Sequence, residues 1–206
     1  MRINRKISIP VAAGALALLT ACGGGDSTTG HEGMGSGSTP AAATTAAARP
    51  SATFNEADVM FAQMMIPHHE QAVEMADLAP TRAADPEIKE LAAKIKAAQD
   101  PEIRTMRDWL TEWGRPAPEG GPDGGMAHEM PGVMSEEDMT KLKAAEGTEF
   151  DKLFARQMIA HHEGAIEMAR TEQANGSNPQ AKALAKTIES AQRAEAEQLR
   201  KLLDRL

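Results

Sequence analysis

The sequence contains one cysteine, Cys22, and no tyrosine, and its aromatic residues amount to 3% of the chain. A single cysteine excludes an intrachain disulfide. Scarce aromatics leave little for base stacking, and a net charge of −8 repels phosphate backbones, so nucleic acid is excluded as a partner. Beyond the first residues no apolar run is long enough to span a bilayer. No segment alternates apolar and polar residues as a half-buried strand would. A Ser/His/Asp set, a phosphate loop and an activated nucleophile are all missing, which points to binding rather than to an enzyme.

What is present begins with a targeting pattern. Arg2, Arg5 and Lys6 precede a largely apolar run from Ile7 to Leu18, and Leu19-Thr20-Ala21-Cys22 follows. This resembles a bacterial lipoprotein signal over residues 1–21. The resemblance implies cleavage before Cys22, lipidation of that residue, and a protein held by lipid at the extracytoplasmic face of the cell membrane. Once lipidated, Cys22 offers no thiolate to a metal. Residues 22–52 are rich in Gly, Ser, Thr, Ala and Pro, a composition that cannot offset its ordering entropy by burial. They read as a flexible tether, with His31 and Met34 as solvated residues within it.

Residues 53–206 contain an internal repeat. The stretch MIPHHEQAVEMA at 65–76 returns as MIAHHEGAIEMA at 158–169. The same shift, which carries His68 onto His161, aligns 58–110 with 151–203 without a gap. Asp58, Phe61, Gln99, Glu102 and Arg107 then coincide with Asp151, Phe154, Gln192, Glu195 and Arg200. Apolar residues recur at helical spacing in each copy. They predict helices over about 54–79, from Pro86 to Gly114, over about 148–173, and from Pro179 to the C-terminus. Thr53 with Glu56 fits a capping box, and Asp85-Pro86 and Asn178-Pro179 fit an N-cap followed by proline at N1. Pro67 and Pro101 fall inside predicted helices and predict kinks. Residues 114–134 form a Pro/Gly-rich connector, and a short helix follows from Ser135 to about 145. The fold expected is all-α: a four-helix bundle made of two tandem helix pairs.

Each motif carries the donor types of a transition-metal site. Met65 and His69 are four apart, and Met64, His68 and Met75 form a neighbouring stripe. In the second copy Met158 pairs with His162, and His161 with Met168. Imidazole serves several metals, whereas thioether is soft and favours Cu(I). The connector repeats these types at Met126, His128 and Met130. Methionine at helical spacing is usually core filler, and a lone buried histidine is usually a packed one. Adjacent histidines flanked by methionine in both copies shift the balance toward metal. Glu70, Glu74, Glu163 and Glu167 read as a solvated face.

The paired M-I-x-H-H-E-x-A-x-E-M-A segments, with MPGVMS before the second, resemble the DUF305 family. The resemblance covers roughly 54–205. It implies a ferritin-like four-helix bundle, and, through family members of the CopM type, an extracytoplasmic copper-binding role for the four histidines and their methionine neighbours. The expected function is copper sequestration or handover to another copper-handling protein, with Cu(I) favoured. Two alternatives stand beside it. One is a structural or partner-binding bundle with buried histidines. The other is a ferritin-like di-iron protein, which would need Glu-x-x-His pairs that the sequence lacks.

Overall fold

The computed structural model describes residues 53–118 and 130–206. The proposed signal, Cys22, the tether, and Met126 and His128 of the connector lie outside the described residues. Within them, five helices follow in order: α1 (Glu56–Arg82), α2 (Pro86–Glu112), α3 (Glu136–Ala144), α4 (Gly147–Asn175) and α5 (Pro179–Leu203). The described residues contain no strand, only an isolated bridge between Ala83 and Gly147. None of their helices is long and apolar enough to cross a membrane.

The helix starts follow from capping chemistry. Asp85 and Asn178 cap α2 and α5, each followed by proline at N1, where the missing N–H costs nothing. Ser135 caps α3. The start of α1 differs from the sequence expectation. Asn55, not Thr53, is the N-cap, and its side chain accepts from the N–H groups of Ala57 and Asp58. Asp58 completes the box by accepting from the Asn55 N–H at 2.6 Å. The helix assignment runs without interruption through Pro67 and Pro80 in α1 and through Pro101 in α2.

The long helices pair as α1–α2 and α4–α5, and the two hairpins meet chiefly through α1 and α4. These two are antiparallel, because the start of each meets the turn that follows the other. Asp151, at the start of α4, accepts from the N–H groups of Ala84 and Asp85. Asp58, at the start of α1, accepts from those of Ser177 and Asn178. Each hairpin thus satisfies the buried backbone donors of the other's turn.

The apolar core falls into two clusters. One joins the C-terminal half of α1 to the N-terminal half of α4 through Met75, Phe150, Phe154 and Met158, with Met139 and Leu142 of α3 laid over it. The other joins the opposite halves through Phe61, Met65, Ile66, Ala165 and Met168. Between them the chain places its polar motif.

Candidate metal centre

Residues 68–69 and 161–162 fall at the middle of α1 and α4, so antiparallel packing brings both histidine pairs to one level. All four are fully buried. The rings of His68 and His161 lie 3.7 Å apart between centroids, and His161 lies 6.5 Å from His162. The two motifs of the sequence therefore make one centre rather than two.

The outer ring nitrogens are anchored alike in both copies. His69 Nε2 lies 2.8 Å from Glu102 Oε2, and His162 Nε2 lies 2.8 Å from Glu195 Oε2. A ring nitrogen facing a carboxylate must donate, so each glutamate fixes the Nε2–H tautomer and leaves Nδ1 with a lone pair. His68 Nε2 lies 3.1 Å from the Pro131 carbonyl and donates in the same way. His161 has no hydrogen-bond partner at either nitrogen. The Nδ1 atoms of all four histidines are buried and without partners. Gln99 and Gln192, buried and matched between the copies, also leave their amide atoms without partners.

Such a layer is costly. A buried polar group without a hydrogen bond costs about 1–3 kcal/mol, and at functional sites that cost is tolerated for the chemistry it permits. Electrostatics keeps the inner rings neutral. Burial, then the neighbouring His69, pushes His68 down to about 3, although the Pro131 carbonyl works the other way. Burial and the closeness of His68 hold His161 well below the ordinary histidine range. A neutral imidazole with a free lone pair is the form that ligates a metal.

Segment 130–134 closes one side of this layer. Gln71 clamps it by donating to the Met134 carbonyl at 3.0 Å and accepting from the Met134 N–H at 2.7 Å. Pro131 rests directly on α4 at Gly164, where a Cβ atom would collide with the Pro131 carbonyl. Gly132 takes φ +79°, a conformation that glycine adopts without strain.

The thioethers predicted from sequence divide by position. Met65, Met75 and Met158 are fully buried in the two clusters that sandwich the histidines. Met168 is 8% exposed and Met64 half-buried, and both line a groove between α1 and α4. Met130 is buried at the head of the closing segment. Of the carboxylates read as solvated, Glu70 and Glu163 pair with Arg107 and Arg200. Glu74 pairs with Lys143, at 2.6 Å. Sequence reasoning did not assign Glu102, Glu195, Gln99 or Gln192 to the centre. The available signal was their coincidence in both copies, Glu102 standing 33 residues after His69 just as Glu195 stands 33 after His162.

Among the described residues no group of three or more His, Cys, Asp or Glu is arranged to hold a metal ion. The four histidines are among the residues so counted, so the layer as arranged here is not a ready-made metal cage.

The arrangement defines the class: an all-α bundle of two duplicated hairpins that meet at a buried layer of four histidines. The family model "Domain of unknown function (DUF305)" matches residues 58–203, and the chain belongs to that family. Among solved structures it is similar to a DUF305 protein from Streptomyces coelicolor, with 30% identity, a TM-score of 0.66, and coverage of 72% of this chain and 93% of that one. It is also similar to a DUF305 fragment from Deinococcus radiodurans, with 30% identity, a TM-score of 0.66, and coverage of 74% and 98%. A third neighbour is CopM in its Cu(II)-bound form, with 34% identity, a TM-score of 0.62, and coverage of 72% and 96%. CopM has also been solved bound to Cu(I) and to Ag. A comparison with curated proteins gives no match.

Proposed function

We propose that this protein binds copper at the histidine layer, without catalysis, to sequester it or to hand it to another copper-handling protein. The observation that carries the reading is the four buried Nδ1 atoms without partners, two of them on rings, His69 and His162, that a glutamate fixes alike in both copies. Glu102 and Glu195 orient His69 and His162 as outer-shell carboxylates orient metal-ligating histidines. Neighbouring thioethers at Met65, Met75 and Met158 make the donor set soft and favour Cu(I). The CopM structures with Cu(II), Cu(I) and Ag bound support the same metal. His68 can ligate through Nδ1 while Nε2–H stays on the Pro131 carbonyl, so binding does not require the closing segment to leave.

Anaerobic Cu(I) titration against a competing chelator tests this. His161→Leu removes both unpartnered nitrogens and should weaken Cu(I) binding at least tenfold, while helix content is kept. Met65→Leu with Met158→Leu should weaken Cu(I) and spare Cu(II), at a packing cost below about 1.5 kcal/mol per site. A wild-type protein that binds no Cu(I) would sink the reading.

The lipoprotein pattern ending at Cys22 supports an extracytoplasmic, lipid-anchored location. Cys22→Ala should leave the protein unprocessed or move it out of the membrane fraction. Wild-type migration and fractionation of this variant would remove that part of the reading.

A further inference from the structure

The duplication provides two equivalent faces where α1 and α4 run on from the histidine layer, one toward each end of the bundle. They have different fates. One is covered by α3: Met139 and Leu142 enter the core there, and Gln157 donates to the Asp138 carbonyl at 3.1 Å. Among the described residues nothing covers the opposite face in this way, and it forms a groove of about 400 Å³.

The residues that differ between the faces are informative. Leu153 and Gln157 on the covered face correspond to Met60 and Met64 on the open one, and both methionines line the groove. Met168 lines it as well, so three thioethers share one cavity. Met60 is 59% exposed and is the one exposed large hydrophobic among the described residues. An exposed methionine is not core filler, so packing does not account for it. Glu167, an exposed carboxylate, borders the same groove and makes it a cation's environment rather than an anion's. The groove also abuts the histidine layer. Its wall includes Pro131, whose carbonyl accepts from His68, and Met168 stands two helical turns from His161 on α4.

We propose that this groove is a second, outer site for a soft monovalent cation, bound by the thioethers of Met60, Met64 and Met168. Thioether without imidazole selects Cu(I) and Ag(I) and discriminates against Cu(II) and the hard divalent ions. The open groove and the buried layer then form a graded pair: an accessible all-sulfur site beside an enclosed nitrogen-rich one. The choice of copper as the natural ligand rests on the function proposed above. The sulfur site itself does not.

Silver is the appropriate probe, because it prefers thioether and undergoes no redox change. The full chain, labelled with 13C at the methionine methyls, is titrated with Ag(I), and the methyl and histidine ring signals are followed together. Signals are assigned by single Met→Leu variants. The methyls of Met60, Met64 and Met168 should shift in concert. Met60→Leu with Met64→Leu, conservative changes at exposed and half-buried positions, should lose one bound equivalent of Ag(I). Ring shifts without movement of these methyls would overturn the groove site and leave the histidine reading intact. Methyl shifts without ring shifts would uphold the groove and remove the histidine layer as a silver site. An unchanged stoichiometry in the double variant would overturn the groove site as well.

Discussion

The two copies share their polar contacts and differ in what lies beside them. Asp58 and Asp151 each grip the turn of the opposite hairpin through backbone N–H groups. Beside Asp58 sits Glu172, 1% exposed, whereas the corresponding residue of the first copy is the fully buried Ala79. Burial, and then the hydrogen bond to Asp58 and its charge, push Glu172 up to about 8. Burial opposes ionisation of Asp58, but hydrogen bonds from Asn55, Asn178, Glu172 and Ser177 prevail and hold it below the usual carboxylate range. Of the two carboxyls, Glu172 therefore keeps its proton and Asp58 carries the charge. The difference separates what folds the bundle from what has been added to it: Asp151 grips its turn without a buried acid beside it, so Glu172 is not needed for the grip.

The largest expected effect concerns the inner histidines, which the two copies contribute equally. Their folded-state pKa values lie below the unfolded value of 6.5, at about 3 for His68 and well below the ordinary range for His161. The stability they allow is complete above pH 6.5 and is lost as pH falls, for His68 toward about 3 and by on the order of 4 kcal/mol. Chemical denaturation of the metal-free protein across this range measures it. His161→Gln and His68→Gln should each flatten the acid limb, because each removes a ring that burial keeps neutral. An acid limb left unchanged by both variants would show that the two rings are not held neutral by burial.

Next come the two aspartates. Asp58→Ala and Asp151→Ala each strand buried backbone donors and should cost about 3 kcal/mol. Their pH dependence should differ. Removing Asp58 also relieves Glu172, so the cost of Asp58→Ala should shrink between pH 5 and pH 8. The cost of Asp151→Ala should stay constant over that window. Parallel profiles would mean that Glu172 and Asp58 do not interact.

The smallest effect comes from Glu172→Gln. Because the folded pKa is raised, the native state holds a proton that the unfolded chain releases above pH 4.5. Wild-type stability should thus decline from pH 4.5 to pH 8, and the variant should escape the decline. The variant should gain about 2 kcal/mol at pH 8 and nothing below pH 4.5. A wild type and variant of equal stability at pH 8 would show that the carboxyl is solvated.

Helix periodicity, proline at N1 and the repeat were enough to read the all-α fold and the helix order, because these are local signals. The cap of α1 was misread since Thr53 and Glu56 have capping-box spacing, while Asn55, closer to the first turn, reaches two backbone donors. The histidines and methionines were legible as chemistry but not as geometry. Each copy alone suggests its own His-Met stripe. Only antiparallel packing sets His68 against His161 and puts Met75 with Met158 and Met65 with Met168. Glu102 and Glu195 were visible as matched positions, yet their role depends on a contact across a hairpin that periodicity does not specify. The docking of α3 on one face alone was not legible either, since the duplicated sequence predicts equal faces.

The exchanged aspartate grips also bear on how the chain folds. In a solenoid each repeat adds its own increment of stability, and folding can begin anywhere along the array. Here neither repeat can close its own turn, for the acceptor of each turn's donors lies in the other repeat, 66 or 67 residues away in one direction and 119 or 120 in the other. A hairpin that forms first gains these bonds only when its twin docks. The duplicated halves are thus bound into a single all-or-none folding unit, and a break in the peptide between them would leave two fragments that each need the other to become native.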